Sequence, residues 1–153
     1  VVFDLSGEKE SGRFPPEAYP AYYYPLVPGG DGAVVLRVLS NGSKQWAVYV
    51  KPMGDLVDGT NTIPISRLEW SIDRVNWTSF PPGGSDGPGV RILTGSQVNG
   101  WALFKVYYRL RLMGDEVAGG PYKTVLKYSI VSLKDTLASP CIKPRLRWPW
   151  PPR

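Results

Sequence analysis

Ala118 to Val131 reads Ala-Gly-Gly-Pro-Tyr-Lys-Thr-Val-Leu-Lys-Tyr-Ser-Ile-Val, a glycine-proline turn that releases into ten residues of two-residue alternation. Tyr122, Thr124, Leu126, Tyr128 and Ile130 lie on one side, and Lys123, Val125, Lys127, Ser129 and Val131 on the other. Successive side chains of a strand point to opposite faces, so this pattern predicts one half-buried antiparallel strand over 122–131.

The rest of the chain is written in the same period. Val1, Phe3 and Leu5 alternate with Val2, Asp4 and Ser6. Ala33 to Ser40 predicts a buried strand, Asn41-Gly42 a hairpin turn, and Gln45 to Lys51 the return strand with Trp46, Val48 and Val50 inward. Leu68, Trp70 and Ile72 alternate with Glu69, Ser71 and Asp73, which places the two acids on a solvent face or in the following turn. Val90 to Thr94 is followed by a second Asn-Gly turn and by the longest strand, Trp101 to Met113, with Ala102, Phe104, Val106, Tyr108, Leu110 and Leu112 on its apolar side. Pro64 between Ile63 and Ile65 marks an edge, because proline has no N–H for a ladder. Phe14 to Pro25, rich in tyrosine and proline, predicts an extended loop. With 17 glycines and 16 prolines punctuating short apolar runs, the chain is expected to be all-β: an Ig-like or jelly-roll antiparallel β-sandwich of about 7 to 8 strands. Residues 1–13 form an N-terminal strand and linker, 14–140 the sandwich, and 141–153 a basic Trp/Pro-rich tail expected to be extended.

Several chemistries lose their usual residues. There is no histidine, which removes the commonest general base, the commonest zinc ligand and every Ser-His or Cys-His pair. Cys141 is the only cysteine, so no disulfide forms within the chain; it reads as a small hydrophobe, or as one half of an intermolecular bridge. A carboxylate pair for glycoside hydrolysis would have to come from Asp55, Asp58, Glu69 and Asp73, all read as turn or solvent-face acids. Asp55 and Asp58 are weighed both as calcium ligands and as an ordinary Asp-Gly turn. Asn41-Gly-Ser43 and Asn76-Trp-Thr78 have the form of glycosylation sequons. No enzymatic activity, cofactor or metal is expected.

The net charge of +5 is concentrated in Lys143, Arg145, Arg147 and Arg153, which leaves the body of the chain near neutral and argues against a nucleic-acid partner. No run reaches the roughly 20 apolar residues of a membrane helix. The opening Val1-Val2-Phe3 without a methionine suits a mature secreted chain, placed outside the cell or at its surface. Six Asn and Gln among so many prolines lean toward a thermostable protein.

Gly120-Pro-Tyr122-Lys-Thr-Val-Leu126-Lys-Tyr128-Ser-Ile130 resembles the closing strand of bacterial secreted Ig-like β-sandwiches of the WxL and spore-coat or pilin-like type. Leu68-Glu-Trp-Ser-Ile-Asp-Arg-Val-Asn-Trp77 resembles a turn of the same domains, and the likeness spans about residues 63–133. Trp101-Ala-Leu103 has the spelling of the Trp-x-Leu signature but sits in a strand pattern that accounts for it. The resemblance implies a non-enzymatic extracellular structural domain and carries over no binding residue.

Assembly is then expected at the two ends. Val1, Phe3 and Leu5 have the pattern of a donor strand that completes a neighbour's sheet, and equally that of a first strand in its own sheet. Leu146, Trp148 and Trp150 offer anchors on a segment that proline has already restricted. The reading is a subunit that polymerises head to tail with copies of itself into a filament, pilus or surface layer. Two alternatives stand beside it: a carbohydrate- or cell-wall-binding module using Trp77 and Tyr22-Tyr23-Tyr24, and a virion or phage-tail structural protein.

Overall fold

The computed structural model describes residues 1–7, 14–26, 32–40, 45–84, 87–95 and 100–133. In chain order the strands are β1 (Val2–Phe3), β2 (Ala21–Tyr23), β3 (Ala33–Ser40), β4 (Trp46–Pro52), β5 (Leu56–Val57), β6 (Thr62–Ile63), β7 (Leu68–Ser71), β8 (Thr78–Ser79), β9 (Val90–Gly95), β10 (Gly100–Leu112), β11 (Tyr122–Lys123) and β12 (Leu126–Ser132), with a 3₁₀ turn at Ile65–Arg67. All pairings are antiparallel, and the fold is an all-β sandwich. Twelve strands form among the described residues, against the seven to eight that the pattern predicts. The surplus lies in β2, β5, β6, β8 and β11, each only two or three residues long and too short to leave a period. None of the helices among the described residues is long and apolar enough to cross a membrane.

The thirteen-residue β10 is the spine of the larger sheet. Leu110 is paired with both Tyr23 and Leu68, and Tyr107 with both Ala33 and Ser71. Thus β3 and β2 follow one another along one side of β10, with β7 and then β8 on the other side. The second sheet has the order β12-β4-β9. Alternation on β10 turns Val106, Tyr108, Leu110 and Leu112 into the core, where all four are fully buried, against Val48 and Val50 of β4. Trp46 of β4 meets Phe104 of β10 edge to face with ring centroids 5.7 Å apart, so the two sheets face each other through their aromatic side chains. A Cβ on Gly95 would fall inside the Trp46 indole, which is why glycine stands opposite Trp46 in the β4–β9 ladder.

The third, small sheet, β1-β11-β5-β6, adds Phe3, Leu56, Ile63 and Tyr122 to the same core. Its outer member β6 carries Ile63 just ahead of Pro64, the edge that the proline predicts.

Three expectations need correcting. The strands flanking Asn41-Gly42 are not a hairpin: β3 pairs with β10 and β4 pairs with β12 and β9, so the β3–β4 connection, like the β9–β10 connection, passes from one sheet to the other. The alternating run 122–131 is two strands, not one. β11 pairs with β1 and β5, β12 pairs with β4, and the chain changes sheet at Thr124–Val125. There Thr124 Oγ1 donates to Gly54 O at 2.8 Å and Met53 N to Val125 O at 2.9 Å. Finally, Glu69 and Ser71 do not face solvent; both are buried, Glu69 beneath side chains described below, while Ile72 is exposed.

Candidate interaction surfaces

The seat of β1 is made by a pair of glycines and a tyrosine. Val2 and Phe3 stand opposite Lys123 and Tyr122. Thr124 N donates to Val1 O at 3.2 Å, Leu5 N to Gly119 O at 2.9 Å, and Leu26 N to Val2 O at 2.9 Å. A Cβ on Gly120, whose φ is +141°, would lie 3.0 Å from Asp4 Oδ1 and 3.3 Å from Leu5 N, so only glycine admits β1 this closely. Phe3 and Leu5 are fully buried, and the Tyr122 hydroxyl beneath them donates to Val117 O at 2.8 Å. Burial first, then the negative charges of Asp58 and Glu116, push the Tyr122 hydroxyl above its ordinary pKa. Val1 and Val2 border an open groove of about 560 Å³ shared with Met53, Val57 and Val125. Of the interface residues predicted from sequence, Val1, Phe3 and Leu5 therefore sit together in the sheet of their own chain. Leu146, Trp148 and Trp150 lie outside the described residues, as do Cys141 and Asn41.

A second surface lies on the outer side of the larger sheet. Tyr22 and Tyr24, and Trp77 more than fifty positions further along the chain, come together around Arg109. The guanidinium carbon of Arg109 is 3.8 Å from the Tyr22 ring centroid and 4.3 Å from that of Trp77, and its Nε donates to Glu69 Oε2 at 2.5 Å. Tyr24 meets Trp77 edge to face at 6.5 Å. This cover buries Glu69, so the acid read as a solvent-face residue is one half of a sheltered ion pair. Arg74 reaches over the Tyr107 ring at 4.9 Å, and Trp77 Nε1 donates to Arg74 O at 3.2 Å, which ties the β7–β8 turn onto the sheet. The alternation of β10 marks Tyr107, Arg109 and Arg111 as one side; what it does not reveal is that the Tyr/Pro segment adds β2 beside them.

The remaining acids hold turns. Asp55 Oδ1 accepts from Ile65 N at 2.8 Å and Asp58 Oδ1 from Asn61 N at 3.1 Å. Asp73 Oδ1 accepts from Val75 N and Asn76 N, each at 2.8 Å, and Oδ2 from Asn76 Nδ2 at 2.7 Å, which engages the amide of the Asn76 sequon. Among the described residues no group of three or more His, Cys, Asp and Glu side chains is placed to hold a metal ion.

Farther along the outer side, Trp101, Leu103, Val35 and Leu39 are each at least half exposed, unusual for apolar side chains clustered on two paired strands. Comparison with protein-family models, with curated proteins and with solved structures finds no match to this chain.

Proposed function

We propose that this protein is a structural subunit of an extracellular filament, pilus or surface layer, assembled by exchanging β1 between copies. One observation supports the reading above the others. Phe3 and Leu5 are wholly buried, yet the strand that carries Phe3 is only two residues long and Leu5 lies just beyond it, ahead of the polar stretch Glu8 to Arg13. Such a strand contributes apolar filling and main-chain hydrogen bonds that are the same whether its own chain or a neighbour supplies it. Exchange between identical copies therefore costs little beyond the linker and the association itself, and a head-to-tail arrangement of exchanges propagates without closing. The basic Trp/Pro-rich tail, residues 141–153, adds a second contact to the next subunit in this reading. The resemblance to pilin-like sandwiches points the same way.

The test is deletion of residues 1–6. The shortened chain should stay soluble, lose stability and form no polymer by negative-stain electron microscopy. Filaments from the shortened chain would show that β1 exchange is not how the subunits join.

A further inference from the structure

We propose that the outer side of the larger sheet is a binding face for a carboxylate-bearing polysaccharide. The register assigns its members. Residues opposite each other in an antiparallel ladder share a side. Since Val106, Tyr108, Leu110 and Leu112 point into the core, Trp101, Leu103, Lys105, Tyr107, Arg109 and Arg111 point out. Arg37 and Leu39 of β3, opposite Leu103 and Trp101, and Tyr22 of β2, opposite Arg111, extend the same side. The strip runs the length of β10 from Trp101 to Arg111, about 33 Å at the rise of a strand.

Its charge is one-sided. Arg37, Lys105, Arg109 and Arg111 lie on it, Arg74 folds over it at Tyr107, and among the described residues of these strands Glu69 is the acid on this side, paired with Arg109. A body that is near neutral by composition thus segregates cations onto one sheet face, which no count along the chain reveals. Trp101 is the most exposed ring on this side, whereas Tyr107 is covered by Arg74 and Tyr22 and Trp77 hold the Arg109 guanidinium between them. A depression of about 300 Å³ at one end is lined by Arg37, Trp101, Ala102 and Leu103.

This combination fits a sugar acid. The C–H face of a pyranose packs by dispersion on an indole or on exposed aliphatic side chains such as Leu103. A carboxylate takes a guanidinium through two parallel hydrogen bonds. In the depression, Arg37 supplies the guanidinium and Trp101 the ring. A single-stranded nucleic acid also asks for cations and aromatic rings, but it needs free ring faces for its bases. Here the slot between Tyr22 and Trp77 is already filled by the Arg109 guanidinium. The face lies on the side of β10 away from the core that holds Phe3 and Leu5, so its binding does not depend on how subunits join.

The test is retention of the full chain on immobilised polygalacturonate, with neutral dextran and a single-stranded DNA oligonucleotide as comparisons. The wild type should bind polygalacturonate, release on raising salt, and ignore dextran. Trp101→Ala and the pair Arg37→Ser with Lys105→Ser should each weaken binding about tenfold or more, in protein that circular dichroism shows to be folded. Arg37→Lys should recover only part of the loss, since an ammonium lacks the two-pronged geometry. Failure to bind polygalacturonate, equal binding to dextran, tighter binding to the oligonucleotide, or full retention in the variants would each overturn the assignment.

Discussion

The hydroxyls of Tyr108 and Tyr128 meet at 2.6 Å, joining β10 of one sheet to β12 of the other inside the sandwich. Burial, and secondarily the Tyr128 neighbour, pushes the Tyr108 hydroxyl far above its ordinary range, and burial raises Tyr128 as well. A raised folded-state pKa favours the neutral phenol. The stabilisation it reflects is complete below the unfolded value of about 10 and declines as pH climbs beyond it. Tyr108→Phe should cost about 1 kcal/mol at neutral pH. The double variant with Tyr128→Phe should cost less than the sum of the two single variants. Urea unfolding of the four proteins at pH 7, repeated in the alkaline range, reads both effects.

Arg67 ties the 3₁₀ turn to the loop after β10. It holds Asp115 with two hydrogen bonds of 2.9 and 3.0 Å, and also pairs with Glu116, whose carboxylate accepts from Met113 N at 2.8 Å and Gly114 N at 2.9 Å. The Glu116 side chain is 2% exposed and that of Asp115 70%. Arg67→Ala leaves a sheltered carboxylate without its cation and should destabilise by about 3 kcal/mol. Asp115→Ala removes a solvated partner and should cost less than about 1 kcal/mol. Chemical denaturation of the two variants separates the contributions.

The β7–β8 turn is sensitive to acid. Hydrogen bonds from Asn76 first, then from Val75 and Ser71, hold the Asp73 carboxyl well below the usual carboxylate range. Its folded pKa is depressed, so the associated stability is present above the unfolded value of about 4 and is lost as pH falls below it. Thermal unfolding of Asp73→Ala should therefore lose part of the decline that the wild type shows between about pH 5 and pH 2. A wild-type melting temperature that fell no more steeply than that of the variant would contradict this role.

The buried side chains around β1 should behave as core residues. Phe3→Ala should destabilise by about 3–5 kcal/mol and Leu5→Ala by about 2–5 kcal/mol. Val2, half-buried at the rim of the groove, should tolerate threonine with a loss near 1 kcal/mol. Equilibrium unfolding in urea checks the order Phe3 and Leu5 before Val2.

How much of this was legible depends on the range of the determining interaction. The alternation of β10 and the inward set Trp46, Val48 and Val50 are local, and the structure has them as read. Asn41-Gly42 and Asn99-Gly100 read as turns in the sequence, but whether the flanking strands share a sheet is decided by partners forty or more positions away. The run 122–131 keeps its period through the corner at Thr124 because both sheets bury toward one core, so the pattern carries no sign of the change of sheet. Glu69 looked solvated because the residues that cover it, Tyr22, Trp77 and Arg109, come from three separate parts of the chain. Of the Trp77 and Tyr22-Tyr23-Tyr24 set named from sequence, Tyr22, Tyr24 and Trp77 converge in space, on an arginine rather than as a bare aromatic platform, while Tyr23 turns the other way into the core.

Exchange of β1 is the central claim, and the facing pair Val2 and Lys123 gives a direct readout of which chain supplies the strand. Val2→Cys and Lys123→Cys can be combined in a Cys141→Ser background, and the protein oxidised after assembly at high concentration. If copies exchange β1, non-reducing electrophoresis should show a ladder of covalent multimers that reduction collapses to one band. A single monomer band, with the disulfide closed within each chain, would contradict the account.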